Sequence, residues 1–280
     1  MENVKEKAKI EGKVKFDEKG KAVATVNKEE VAPKVKEPEI LQLIEGLLLP
    51  SKFQVYNVDP KTVQLRTFKG KDEKLIASLT YENFESKFIE ILKNVLVGID
   101  PRELTIGDRL YIMLWEVINS YTKFCTLDHQ CSNCYQKTQY DVDLSLVSVT
   151  DLPEGFKEPY PVKLTNGNIV NLRLLRVKDE EKTRDYEKAT GQNAWLYRFA
   201  LSIVDDKLSD VDRMTMLDEM PTVDIALIRA FHEKFYHGPK MEAMVECKKC
   251  GVSEVAPIPF RVELFFPHGD SLKRYFGDAI

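Results

Sequence analysis

The sequence predicts an α+β fold in which one unit, made of a helix, a strand, a CxxC knuckle and a second strand, occurs twice. Two CxxC motifs, Cys131–Cys134 and Cys247–Cys250, lie 116 residues apart along the chain. An aspartate stands 23 residues before each motif and opens an apolar stretch with helical periodicity, at Asp108 and at Asp224. Alternating apolar and polar residues, which are typical of half-buried strands, flank the motifs. A single CxxC arises easily by chance, whereas two in one register predict an internal duplication.

The composition limits the classes of protein to which the chain can belong. Its 280 residues allow one large domain or two smaller ones, and 43% hydrophobic residues are enough for a core. The net charge of −4 argues against nucleic acid as the main partner. Apolar runs such as Leu47–Leu49 are far below the ~20 residues of a membrane span, and no apolar secretory signal begins the chain. We expect synthesis in a cytoplasm.

The N-terminal segment, residues 1–38, differs from the rest of the chain because it is rich in lysine and glutamate and poor in large apolar side chains. Such a segment cannot bury enough apolar surface to offset its ordering entropy. We expect a solvated tail; the alternative is an arm that becomes ordered on a neighbouring subunit.

The first half of the predicted duplication covers residues 39–150. It is expected to contain a helix from Glu39 to Leu48, strand-like runs at Phe53–Val58 and Thr62–Phe68, helical sequence from Asp72 to Leu96, the helix that follows Asp108, and a strand over Thr138–Leu144. Thr105, with Asp108 three residues later, resembles a capping box at the N-cap of this helix, with aspartate in place of the usual glutamate or glutamine. Cys125 is predicted to be a small buried residue towards the end of that helix.

A β-hairpin, residues 151–177, is predicted between the halves, because Asn166-Gly167 favours a type I′ turn. The second half covers residues 178–280. It is expected to contain a charged helix from Lys178 to Lys188 that ends at Gly191, helical sequence from Asn193 to Phe235 with breaks near Asp205 and Pro221, a helix C-cap at Gly238, and strands over Met241–Glu246 and Val252–Phe266. The offset of 116 residues also relates Leu92 to Leu208 and Val95 to Val211.

The four paired cysteines predict a structural zinc site with Cys131, Cys134, Cys247 and Cys250 as ligands. Two CxxC knuckles can complete a tetrahedral shell of four sulfurs at a Zn–S distance of ~2.3 Å, with no open position for water. The chain has five cysteines, an odd number, and four of them lie in CxxC motifs. This pattern favours metal ligation in a reducing compartment over a set of disulfides. The alternatives are buried thiols without metal and an iron–sulfur cluster.

The knuckles differ in the residues around their cysteines. Lys248 and Lys249 would offset part of the negative charge of four thiolates. Gly251 suits the tight turn that follows a knuckle, whereas Tyr135 stands at the same position of the first knuckle.

The sequence contains no recognisable catalytic constellation, so we predict that the protein is not an enzyme. His232 and His237 lie five residues apart, which places them about 140° around a helix at ~100° per residue. They cannot chelate one ion as a pair four residues apart does, and we interpret them as surface and interface residues.

Several motifs together resemble the baseplate hub and hub-assembly proteins of T-even-type contractile-tailed phages. The motifs are Leu49-Pro50-Ser51-Lys52 with Phe53 in place of the usual glycine, Val63–Arg66, Asp72-Glu73, the helix from Asp224, Gly238-Pro239, and Cys247–Gly251. The resemblance spans roughly residues 45 to 268. It implies a non-catalytic virion or assembly component, found in the tail baseplate or in the host cytoplasm during assembly.

The resemblance also implies protein partners, namely hub, wedge or tail-tube subunits, with no small-molecule substrate and no membrane. Apolar segments at Phe260–Phe266 and Tyr275-Phe276 are candidates for docking or for ordinary core packing. The alternative function is a zinc-ribbon protein that binds nucleic acid or a polymerase through Lys248 and Lys249. The sequence leaves open whether the protein stays in the finished particle.

Overall fold

The computed structural model describes residues 48–80 and 83–259, together with two short strands near the N-terminus. The chain divides into two units, Met1–Glu39 and Ile40–Ile280. In the first unit, β1 (Lys15–Phe16) pairs antiparallel with β2 (Ala22–Val23). The helix predicted from Glu39 and the apolar segments after residue 259 lie outside the described residues.

The second unit combines helices with small two-stranded sheets. Its helices are α1 (Gly70–Ala77), α2 (Phe84–Val95), α3 (Ile106–Ser120), α4 (Val177–Thr190), α5 (Trp195–Ser202), α6 (Asp210–Asp218) and α7 (Thr222–Lys234). Its strands are β3 (Gln64–Leu65), β4 (Leu96–Val97), β5 (Phe124–Gln130), β6 (Lys137–Asp143), β7 (Val149–Thr150), β8 (Tyr160–Lys163), β9 (Ile169–Leu172), β10 (Gly238–Pro239), β11 (Glu242–Glu246) and β12 (Ser253–Pro257). The strands pair antiparallel as β3–β4, β5–β6, β7–β10, β8–β9 and β11–β12. The predicted α+β class is confirmed.

No helix in the described part of the chain is both long enough and apolar enough to cross a lipid bilayer.

Two hydrophobic clusters form the core of the second unit. The first is built on α2, α3 and the β5–β6 hairpin, with Phe88 and Ile112 fully buried. The second is built on β8–β9 and α5 to α7, with Leu172 and Ile228 fully buried. The β11–β12 hairpin comes last in the described sequence, yet it packs on the first cluster. This placement brings the second knuckle to the first.

Two arginine–aspartate pairs hold the starts of α1 and α4. Arg66 donates two hydrogen bonds to Asp72, at 2.6 and 3.1 Å, and Arg173 donates two to Asp179, at 2.7 and 2.9 Å. In each case the aspartate also accepts the backbone N–H of the residue that caps the helix. The arginine precedes the aspartate by six residues in both pairs, so the two helices begin in the same way.

Asp108 and Asp224 also have matching roles at the starts of α3 and α7. The carboxylate of Asp108 accepts the N–H of Ser51 at 2.9 Å and the hydroxyl of Tyr56 at 2.5 Å. The carboxylate of Asp224 accepts the N–H of Thr165 at 2.8 Å and its hydroxyl at 3.0 Å. Both aspartates are buried, and each one anchors a chain segment that lies more than 50 residues earlier in the sequence.

The predicted N-cap of α3 is confirmed, but only half of the capping box forms. The hydroxyl of Thr105 accepts the N–H of Asp108 at 3.2 Å. The carboxylate of Asp108 does not return to the N-cap backbone, because Ser51 and Tyr56 occupy it.

The strand predicted over Phe53–Val58 is wrong, and the run Thr62–Phe68 shortens to β3. Lys52 and Phe53 have φ angles of 51° and 58°, in the left-handed region, so the chain turns there and cannot extend. The family resemblance has glycine at the position of Phe53, and glycine adopts this conformation without strain. Phe53 keeps its ring buried while its backbone takes the conformation that favours glycine.

The predicted pairing of Leu92 with Leu208 and of Val95 with Val211 is also wrong. Leu92 and Val95 are fully buried in α2, whereas Leu208 precedes α6 and Val211 is 73% exposed on it. The reason is that the helix α6 lies between α5 and α7, while only the short strand β4 and a 3-10 turn lie between α2 and α3. The offset of 116 residues therefore relates only residues beyond α6.

Two smaller predictions are corrected as well. Gly238 lies in β10 and does not cap α7, whose C-cap is Phe235. Gly238 has a φ of 112°, and a Cβ there would come within 2.8 Å of the Cα of Gly107, so two glycines allow these backbones to touch. Cys125 lies in β5, because α3 already ends at Ser120; it is half-buried, and burial raises its pKa to about 11.

Glu116, a fully buried carboxyl of α3, makes the stability of the protein depend on pH. Burial raises the pKa of Glu116 to about 8, although a hydrogen bond from Ser120 opposes this effect. Because this value lies above the ordinary pKa of 4.5, the folded state holds a proton that the unfolded state releases. The stability that this proton supplies is lost as the pH rises from about 4.5 to about 8.

We expect Glu116→Gln to remove that loss. As the pH rises from 5 to 8, the melting temperature of the variant relative to that of the wild type should increase by several degrees, at roughly 2–4 °C per kcal/mol. Differential scanning calorimetry across this pH range measures the difference. A difference that stays constant with pH would show that Glu116 does not titrate in the folded protein.

Candidate metal centre

The four predicted ligands lie at the tips of two β-hairpins. Cys131 and Cys134 belong to the loop between β5 and β6, and Cys247 and Cys250 belong to the loop between β11 and β12. Each loop has six residues and its first residue is a cysteine, since both hairpins pair up to the residue before the motif. The two loops therefore present their cysteines in the same way.

The two loops also share their backbone hydrogen bonds. In the first, the N–H of Cys131 donates to the carbonyl of Gln136 and the N–H of Tyr135 donates to the carbonyl of Cys131, both at 3.0 Å. In the second, the corresponding bonds measure 2.9 and 2.8 Å, with Cys247 and Gly251 as donors. Tyr135 and Gly251 both take left-handed φ angles, 57° and 71°. The turn thus requires this conformation whether or not a glycine occupies it.

The four sulfur atoms converge on one point. Each lies within 4.8 Å of the others, and two separations that join the hairpins are 3.6 Å, between Cys131 and Cys250, and 3.5 Å, between Cys134 and Cys247. Four sulfurs at ~2.3 Å from one tetrahedral ion would be ~3.8 Å apart. The cluster therefore fits a single metal ion with four thiolate ligands.

Shared core packing explains why the sulfurs meet. Leu127 of β5, Val142 of β6, Val245 of β11 and Ala256 of β12 are all buried in the first core cluster. The two hairpins thus lie side by side on one hydrophobic surface, and their loops point to the same place.

The four thiols differ in their burial and in their pKa values. Cys131 and Cys247 are each 2% exposed, whereas Cys250 is exposed. Hydrogen bonds from the N–H of Val252 and the side chain of Asn133 lower the pKa of Cys250 to about 6. For Cys131, the backbone of Cys134 lowers the pKa, but burial and the neighbouring thiols raise it to about 12. The thiols cannot all ionise together without a cation, so metal binding would release protons.

A carboxylate connects the second hairpin to the first loop. Glu254 of β12 accepts the N–H of Ser132 at 3.2 Å, its hydroxyl at 2.7 Å, and a hydrogen bond involving His129 Nε2 at 2.8 Å. The hydrogen bonds from Ser132 and His129 lower the pKa of Glu254 to about 2. None of these three residues is predicted as part of the site by the CxxC pattern. Strand alternation could have found Glu254, because it places this carboxylate on the same face as the buried Ala256.

The interpretation of His232 and His237 as surface residues is wrong. His237 is 5% exposed, and its Nε2 lies 2.6 Å from the hydroxyl of Thr105. His232 stacks on Phe199 with ring centroids 5.5 Å apart, and burial lowers its pKa to about 4. Both histidines serve packing between elements that are distant in the sequence.

A family model described as T4 bacteriophage base plate protein matches residues 50–266, about three quarters of the chain. No curated protein and no solved structure matches the chain. The matched range contains both hairpins and all four clustered cysteines.

The left-handed turn after each knuckle gives a direct test of the loop geometry. We expect Gly251→Ala to destabilise the protein by about 1–2 kcal/mol, because a Cβ disfavours this conformation even though no atom lies near it. Gly70→Ala is the matched control, since Gly70 also has open space around it but lies at the start of α1. Urea unfolding of the metal-loaded proteins measures both. Equal stability of the two variants would contradict the turn assignment.

Proposed function

Since the chain belongs to the T4 bacteriophage base plate protein family, we propose that it is a non-catalytic structural component of the hub or wedge region of the baseplate. The family implies a place in the phage tail and contacts with other baseplate proteins. A structural zinc ion would make the protein rigid, and hub, wedge or tail-tube subunits are the proposed partners. The observation that carries this proposal is the four-cysteine cluster, which joins two hairpins far apart in the sequence.

Zinc is the proposed metal because the four sulfurs would fill a tetrahedral shell and leave no position for a water or a substrate. A closed shell of this kind supplies binding free energy to the folded state and no reaction chemistry. Isolated two-stranded hairpins are marginally stable in water. Both knuckles stand at the ends of two-stranded hairpins, so an ion shared between them would stabilise both hairpin ends and the contact between them.

We also propose that the chain contains an internal duplication. Its support is the repeated polar anchoring: Arg173 and Asp179 follow Arg66 and Asp72 by 107 residues, with the same bidentate contacts. The offset between Asp108 and Asp224 is 116, and the difference of nine residues equals the length of α6. In this proposal α6 is an element of the second copy alone.

The contacts of Asp108 and Asp224 also indicate where the second copy begins. Thr165 is held by Asp224 as Ser51 is held by Asp108. The hairpin β8–β9 would then open the second copy, as the turn at Ser51 opens the first, and a boundary before β8 is preferred to one at residue 178.

Nucleic-acid binding is not favoured as an alternative. The matching family is one of baseplate proteins, and the chain carries a net charge of −4. The lysines at the tip of the second knuckle then serve to offset the charge of the thiolates.

Single cysteine variants test the proposal through two measurements. We expect the wild type to bind one zinc ion per chain, and both Cys131→Ser and Cys247→Ser to lose it together with several degrees of melting temperature, because each loop supplies half of the shell. Cys125→Ser is the matched control and should keep the ion, since Cys125 lies outside the cluster. Elemental mass spectrometry measures the metal.

The same variants, supplied in trans to a phage that lacks the protein, test the biological part. Cys125→Ser should restore baseplates seen by electron microscopy, whereas Cys131→Ser and Cys247→Ser should restore far fewer. Zinc retained in either knuckle variant would contradict the shared site. Full restoration by zinc-free variants would contradict a structural role for the metal in assembly.

A further inference from the structure

We infer that Glu254 is a positioning residue of the proposed metal centre, and that it keeps the two knuckles assembled when the metal leaves. This inference rests on the proposed zinc site. Glu254 contributes no ligand to the sulfur cluster. It acts through the first loop, which it holds from the opposite hairpin.

The contacts of Glu254 link two hairpins that no backbone ladder joins. Its carboxylate receives the N–H and the hydroxyl of Ser132, the residue directly after Cys131, and it pairs with His129, two residues before that cysteine. Both sides of Cys131 are therefore fixed to β12 by hydrogen bonds. Breaking these bonds would free the first loop to turn away from the second.

The contact between the loops is reciprocal. The side chain of Asn133, in the first loop, donates a hydrogen bond to the sulfur of Cys250 in the second. Ser132 and Asn133 are the two residues between the cysteines of the first knuckle. Both of these positions therefore serve contacts with the other hairpin.

The second knuckle has no equivalent arrangement. Residues 116 positions from Ser132 and Asn133 are Lys248 and Lys249, and the residue 116 positions before Glu254 is Thr138. Lys248 and Lys249 are exposed. The contact of Glu254 with the first loop is therefore not a general feature of these CxxC loops. It occurs because the two hairpins lie side by side.

The surroundings of the contact make it strong enough for this role. The side chains of His129 and Glu254 are 18% and 17% exposed, so water competes weakly for the hydrogen bond between them, whereas the bonds from Ser132 lie at an exposed residue. Hydrogen bonds to a charged carboxylate are roughly twice as strong as those between neutral groups. Residues that orient metal ligands in this way typically change metal affinity by about 10- to 100-fold when they are replaced.

In the metal-free protein the two loops would keep their places. The loops would remain close together through Glu254 and through the shared core beneath them, so the ion would leave and return without unfolding of either hairpin. The site would be preassembled, in contrast to small zinc domains that fold only when they bind the metal.

The test measures zinc release from the full-length, zinc-loaded protein into an excess of a coloured chelator. We expect Glu254→Ala to release zinc about 10-fold faster than the wild type. Glu254→Gln should release it faster than the wild type but more slowly than Glu254→Ala, because the amide oxygen still accepts the hydrogen bonds of Ser132 but carries no charge. Glu242→Ala is the matched control, an exposed glutamate at the far end of the same hairpin.

Hydrogen exchange of the Ser132 amide in the metal-free protein gives a second readout. The amide should be protected in the wild type and exchange fast in Glu254→Ala. If Glu254→Ala does not fold, Ser132→Ala, which removes only the hydroxyl contact, should shift both measurements in the same direction to a smaller extent.

The outcomes separate this inference from the proposed function. A wild type that takes up no zinc overturns both. Zinc uptake with equal release rates for the wild type and Glu254→Ala, or an unprotected Ser132 amide in the metal-free wild type, overturns only the role of Glu254.

Discussion

Four sulfur atoms within 4.8 Å of one another are the constraint that the two knuckle loops must satisfy together. Thiolates at this distance repel each other unless protons or a cation lie between them. Hydrogen bonds lower the pKa of Cys250, whereas burial and the neighbouring thiols raise the pKa of Cys131, so the thiols do not ionise alike without a cation. A cation held by all four sulfurs would remove this difference and would join residues that stand 116 positions apart in one site.

The packing beneath the cluster makes this site possible. The last described hairpin, β11–β12, leaves the second core cluster and packs with β5–β6 on the first. Buried polar anchors hold the helices on which both clusters rest, with Arg66–Asp72 and Arg173–Asp179 at equivalent places. For a baseplate component, such a framework would present a fixed surface to neighbouring subunits, and the proposed zinc ion would close the framework at the point where its hairpins meet.

The parts of this fold that depend on local patterns could be predicted from the sequence. The four cysteines, the N-cap at Thr105 and the end of α4 at Gly191, with a φ of 68°, follow from spacing and from the conformational freedom of glycine. The turn at Lys52 and Phe53 could not be predicted, because neither residue favours a positive φ and only the surrounding contacts impose it. Strand alternation places Glu254 on the face of the buried Ala256, but its partners lie more than 120 residues away, and no local pattern encodes a contact of that range.

X-ray absorption at the zinc edge tests the central claim most directly, because it counts the ligands of the bound ion. If the two knuckles form one centre, the full-length protein should show four sulfur scatterers at ~2.3 Å and no nitrogen or oxygen in the first shell. Two sulfurs accompanied by nitrogen or oxygen ligands would mean that each knuckle binds metal by itself, and would contradict a centre shared by the two hairpins.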